Sequence, residues 1–318
     1  MHGMFRKVLL GAMVCAFASA CSDSGEPPPT VASAGAGNTA GAGAGTGPSS
    51  SAGAGSGGAP AGGGATAAAG APPTAGSGSG AGGLPAGGSA GSAGAPPVET
   101  GPFAVLVFSG TSGFRHDSIP DGVALLEDLG AENDFTVDNT EDSADFSDAN
   151  LANYAVVVFM SSHIGVLSEE ARGAFQRFIQ GGGGYVGVHC ASCGADDWPW
   201  YAELLGATFT GHPAIQVATV DIESHDHPST AGLPDVWERN DELYNFDMNP
   251  RGAATVLMTL DESSYDGGSM GDDHPITWHH EFEGGRSWYT GLGHPKEGYA
   301  EENFVKMLLG GVLYAAGR

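Results

Sequence analysis

Basic side chains are scarce in this chain: 11 Lys and Arg stand against 37 Asp and Glu over 318 residues, a formal charge of −26. Such a surface repels phosphate backbones and anionic headgroups, so no nucleic-acid partner is expected. Long apolar runs are lacking too. The longest, over residues 8–20, falls short of the roughly 18 residues needed to span a bilayer. Cysteine is limited to four residues, of which only Cys190 and Cys193 lie beyond residue 21, as Cys-Ala-Ser-Cys. In an oxidising compartment that pair closes a disulfide, binds a metal or exchanges thiols, and the spacing admits all three. There is no HExxH. The turn Gly110-Thr111-Ser112-Gly113 carries neither GxGxxG nor a Walker lysine, so no nucleotide cofactor is expected.

What is present divides into three parts. Arg6 and Lys7 precede the apolar run 8–20, which ends in small residues before Cys21. That is the order of a secretory signal, over residues 1–21. Ala18-Ser19-Ala20-Cys21 resembles a bacterial lipoprotein processing box, with Ala18 where Leu is usual; the resemblance implies lipidation of Cys21 and a membrane anchor. Ser22 after the cysteine favours the outer membrane, so the chain is expected to be exported, periplasmic or at the cell surface. Residues 22–101 run on Gly, Ala, Ser, Pro and Thr, and residues 22–100 hold 24 of the 54 glycines. This composition cannot bury enough apolar surface to offset the entropy of ordering it, and a disordered linker is expected. The remaining stretch, 102–318, is long enough for one domain and carries 34 acidic side chains against 9 basic.

Within the domain, strands and helices alternate. FAVLVFS over 103–109 is an apolar run of strand length, of the kind covered on both faces of a parallel sheet. Ser118 is placed to cap a helix with Pro120 in its first turn and Val123, Leu126 and Leu129 along one face. Short strands follow at 135–137 and 155–160. A second helix starts at Ser168, with Ala171, Phe175, Phe178 and Ile179 on one side, and the glycines 181–184 end it before a strand at 185–188. The β-α-β-α-β run implies right-handed crossovers and a doubly wound, mostly parallel sheet. Further strands are expected at 215–222, 255–260, 276–282 and 287–290, with a last helix at 301–315.

Histidines gather where strands end. His116 follows the first strand, His163 the third, His189 the fourth and His294 the last, while His212 and Glu242 lie in the irregular part that folds over them. Ligands in open α/β sheets collect at the carboxyl ends of strands. Imidazoles converging with a carboxylate suit a Zn-type divalent metal, for which His189, His212 and His294 are the candidate ligands, or acid/base work by His189, His294 and Glu242.

The segments VLVFSGTSGFRHDSIPDGVALLEDLG, GGGGYVGVHCASC, DWPWY, GHPAIQ, DELYNF, DHPITWHHEFEGGRSWYTGLGH and LLGGVLYAAGR resemble the ThuA-like (trehalose utilisation) family, in order and from about Phe103 to Gly317. The resemblance implies an α/β fold of the class I glutamine amidotransferase-like kind, a flavodoxin-like three-layer sandwich. It also implies a role in the metabolism of a disaccharide or keto-sugar. Amidotransferases place a nucleophilic Cys in a G-x-C-x-G elbow; here Gly187-Val188-His189-Cys190-Ala191 puts His189 there and Cys190 one residue late, so glutaminase activity is not expected. For a small-molecule carbohydrate, Trp198, Trp200 and Tyr201 offer aromatic faces and His116, Asp197 and Asn245 polar contacts. Two alternatives stand beside an enzyme: a non-catalytic carbohydrate-binding module, and a redox or metal-handling protein built on Cys190 and Cys193.

Overall fold

The computed structural model describes residues 101–318. The expected signal with Cys21, and the linker save Gly101, lie outside the described residues. Eleven strands and five α-helices are formed in the described part. The strands β1 (Phe103–Phe108), β2 (Phe135–Thr140), β3 (Val156–Met160), β4 (Gly184–Val188) and β11 (Gly285–Thr290) pair in parallel in the order β2-β1-β3-β4-β11. Four further strands extend the sheet antiparallel: β10 (His274–Phe282), β9 (Thr255–Asp261), β6 (Gln216–Ile222) and β7 (Val236–Asp241). β5 (Phe209–Gly211) and β8 (Asn245–Phe246) form a separate two-stranded sheet.

The fold is α/β as expected, but half of the sheet's pairings are antiparallel rather than a small minority. The cause is the connections. Where helices α1 (Ile119–Glu132) and α3 (Glu169–Gln180) intervene, the chain must cross over and return parallel. From β6 to β11 no α-helix intervenes, so nothing there makes a crossover. Glu283 and Gly284, both at positive φ (47° and 101°), make the two-residue turn that sends β10 straight back as β11. Strands β5, β7 and β8 have no expected counterpart, being very short or, in VWERND, half charged.

Alternate residues of β3 bury into opposite layers, because successive side chains on a strand point to opposite faces. Phe159 packs on Phe175 of α3 and on Tyr201 of α4 (Pro199–Leu205). Its neighbour Met160 lies against α1 and Tyr299; a Cβ on Gly122 would come within 2.5 Å of the Met160 sulfur and 2.9 Å of the Tyr299 ring, so a larger residue there would have to push these side chains aside. Helix α5 (Glu302–Ala315) packs on β11, β4 and α1, completing that layer. Ser168 caps α3 as expected, its Oγ accepting from the Ala171 N–H at 3.2 Å. Ser118 precedes α1 but makes no cap bond; its hydroxyl donates instead to the Gly293 carbonyl at 3.4 Å, tying α1 to the loop after β11. Among the described residues no helix is long and apolar enough to cross a membrane.

Candidate metal centre

Because β1, β3, β4 and β11 are parallel, the loops that follow them leave the same edge of the sheet, and β1/β3 is the point where strand order reverses. His189 comes directly after β4 at φ +52°, a left-handed conformation that costs a side-chain-bearing residue roughly 1–2 kcal/mol. Strain of this kind persists where the surroundings impose it. Here the Gly291 carbonyl, just past β11, accepts from His189 Nδ1 at 2.7 Å, and Tyr244 stacks on the imidazole at 4.1 Å between centroids. A carbonyl only accepts, so the proton sits on Nδ1 and the lone pair on Nε2.

That lone pair has no hydrogen-bond partner, and neither have His116 Nδ1 and His294 Nδ1, all three being buried atoms. With a carboxylate oxygen of Glu242 they form a group whose ligand atoms all lie within 4.8 Å of one another. Glu242 Oε2 stands 3.3 Å from His189 Nε2 and 3.2 Å from His294 Nδ1, without the alignment of a hydrogen bond. Ligand atoms about 2.0–2.2 Å from a shared zinc at the tetrahedral angle are roughly 3.3–3.5 Å apart. The two measured contacts match that edge, and the widest separation in the group needs closure of about an ångström.

His116 and Glu242 are biased toward the forms that ligate, a neutral imidazole and an ionised carboxylate, whereas on His294 an ion would have to displace a proton. Burial, then His189 and His294, push His116 down to about 3. Burial opposes charge on Glu242, but the adjoining His189 and His294 outweigh it and hold the carboxyl well below its usual range. His294 is raised by its contact with Glu242.

Asp241 holds this arrangement and was not a candidate from sequence. Fully buried, it accepts from Arg239 Nε at 2.7 Å, from the Glu242 and Gly293 N–H groups at 2.9 Å each and from the His294 N–H at 3.0 Å. One carboxylate thus fixes the backbone of two candidate ligands. Arg239 is in turn bound by Glu301 at 2.6 Å. The signal available was the spacing of Arg239 and Asp241, two apart on a strand and therefore on one face.

His212 does not join the ligand group. Its Nδ1 lies 3.2 Å from the other oxygen, Glu242 Oε1, and 2.8 Å from the Pro213 carbonyl, and its ring is exposed. The group that could hold a metal is therefore His116, His189, Glu242 and His294, whereas the expected set was His189, His212 and His294. His163 turns away, accepting from the Gly165 N–H.

The aromatics expected to face a sugar pack elsewhere. Tyr201 is fully buried and hydrogen-bonded to Tyr185 and to the Ala191 carbonyl, so it has no face for a ligand. Trp200 packs against Phe175 and Phe282 and donates to Glu283; Trp198 lies on Tyr201 with the Arg172 guanidinium over its ring. Asn245 spends both ends of its amide on Gly267 and Ser269, whereas Asp197 is exposed in a short 3-10 turn. Cys190 and Cys193 are joined in a disulfide across the turn that follows His189, with Cα atoms 4.9 Å apart.

A family model described as ThuA, trehalose utilisation, matches residues 104–315. Among solved structures, a ThuA-like protein from Bacteroides uniformis is 23% identical with a TM-score of 0.58, over 68% of this chain and 93% of its own. One from Parabacteroides merdae is 22% identical with a TM-score of 0.56, over 68% of this chain and 90% of its own. At these identities the likeness shows the fold alone. No curated protein matches the chain.

Proposed function

The chain belongs to the ThuA family, whose description as trehalose utilisation points to a carbohydrate-related role, and from that premise we propose an enzyme that uses one divalent metal ion, best matched by zinc, on a disaccharide or keto-sugar. The observation that carries this reading is the set of three buried, unpartnered imidazole nitrogens around one carboxylate. His116, His189, Glu242 and His294 would hold the ion, which when bound supplies Lewis-acid polarisation of a sugar oxygen. The remaining residues have separable tasks. Gly291 fixes the tautomer of His189, Asp241 holds Glu242 and His294 in place, and Tyr244 keeps water from one face of His189. His212, exposed and beside the outer oxygen of Glu242, is positioned to hold a proton near a bound sugar.

Elemental analysis of the full chain tests the reading, with and without His189→Ala and His294→Ala together. About one equivalent of zinc in the native chain, lost in the variant, is expected; native protein that takes up no metal after dialysis against zinc would sink it. Export and anchoring at Cys21 are proposed from the N-terminal sequence, with the outer membrane favoured. Incorporation of labelled palmitate should disappear in Cys21→Ala, and an unlabelled native chain would refute the anchor.

A further inference from the structure

The faces of Trp198, Trp200 and Tyr201 are occupied by their own neighbours, yet one aromatic ring does stand at the histidines. Phe114 is 70% exposed, the most exposed large hydrophobic side chain among the described residues. Single exposed apolar residues are ordinary, so the surroundings of this one decide its meaning.

The loop that carries it is held. Next to Phe114, Arg115 donates from Nη1 to the Ser109 carbonyl at 2.9 Å and from Nη2 to Glu141 at 2.7 Å. One residue further, His116 is buried within the ligand group. Phe114 itself touches His116 at 4.8 Å between centroids, with the rings perpendicular. An apolar ring is thus kept in water by a fastened loop, in contact with an imidazole whose Nδ1 lacks a partner.

A pyranose has the complementary form, with hydroxyls around its edge and an apolar patch of C–H groups on its face. An aromatic ring covers such a patch while polar groups take the edge. We propose that Phe114 is the platform on which the C–H face of a pyranose substrate lies, directing the sugar's polar edge to His116, His189, Glu242 and His294. This rests on the carbohydrate reading above and adds to it a selection: cyclic sugars are held, and open-chain polyols, which present no flat face, are not.

Calorimetry on the zinc-saturated full chain tests this with trehalose, methyl α-glucopyranoside and sorbitol, comparing the native protein with Phe114→Ala and Phe114→Tyr. Native protein should bind the pyranosides and not sorbitol. Phe114→Ala should bind them about tenfold more weakly, which is about 1.4 kcal/mol, and Phe114→Tyr should bind them nearly as well as native. Zinc titrated alone, and the melting temperature, should be unchanged in both variants. Equal pyranoside affinity in native and Phe114→Ala protein would overturn the platform and leave the carbohydrate reading standing. Loss of zinc affinity in Phe114→Ala would also overturn it, showing the ring to be a support for His116. Native protein that takes up zinc and binds no pyranoside would bring down the carbohydrate reading, and the platform with it.

Discussion

Replacing Asp241 by Asn exchanges one oxygen for an NH₂ group, removes the charge and tests how the centre is built. The carboxylate accepts four hydrogen bonds at 2.7–3.0 Å, two on each oxygen. An amide keeps one acceptor oxygen and turns the other into a donor. If the NH₂ takes the Oδ1 side it faces the Glu242 and His294 N–H groups; on the Oδ2 side it faces Arg239 and Gly293. Either way two buried donors lose their acceptor, and Arg239 loses the charge beside it. Breaking one partner of a buried ion pair costs about 3–5 kcal/mol. For a domain of this size, each kcal/mol moves the melting temperature by roughly 2–4 °C, so a fall of roughly 6–20 °C is expected. With the NH₂ on the Oδ1 side Glu242 and His294 are both released, and with it on the Oδ2 side Arg239 and Gly293 are; either loosens the loops that carry the ligands, so zinc affinity should also drop about 10- to 100-fold, the usual effect of removing a group that orients metal ligands. Scanning calorimetry in EDTA isolates the first effect, and competition with a chromogenic chelator measures the second. A melting temperature within 2 °C of native together with zinc affinity within about twofold would refute the reasoning.

Three further outcomes are expected. Tyr201→Phe leaves the Ala191 carbonyl and the Tyr185 hydroxyl without a partner, costing about 1–3 kcal/mol in urea unfolding; zinc affinity should not change, and a change would mean that the residue does reach the centre. Burial, then His279, pushes His227 from 6.5 down to about 3, so the folded state rejects a proton that the unfolded chain binds between those values. Stability from His227 is therefore complete above about pH 6.5 and lost as pH falls, by up to about 2 kcal/mol at pH 5. Melting in EDTA at pH 7.5 and pH 5 should show this fall, diminished in His227→Gln; an equal fall in the variant would assign it to other groups. Finally, His212→Ala should leave one equivalent of zinc in place whereas His116→Ala removes it, and the reverse result would restore His212 to the ligand set.

The buried strands, their order along the chain and the cap at Ser168 were legible because each rests on local pattern: apolar runs of strand length, a 3.6-residue stripe, a hydroxyl three residues before a free N–H. Placement of His116, His189 and His294 at strand ends follows from the same pattern, and parallel strands bring such ends to one edge. The antiparallel half was less legible, since β7 turns Trp237, Arg239 and Asp241 inward, two of them charged, and β8 has only two residues. Ser118 shows the limit of local pattern. A capping residue by spacing, it is drawn instead to a carbonyl 175 residues away.

Sequence by itself thus determined an acidic α/β domain with histidines gathered along one sheet edge. Only the tertiary structure decided which of them meet. The acceptor that sets the tautomer of His189 is 102 residues distant, and the carboxylate that positions His294 is 53 residues before it. It also laid Trp198 and Trp200, half-buried, against the edge of the core and left Phe114 outside. Side-chain direction and hydrogen-bond partnership depend on groups far apart in the chain, whereas propensity and periodicity report only on neighbours.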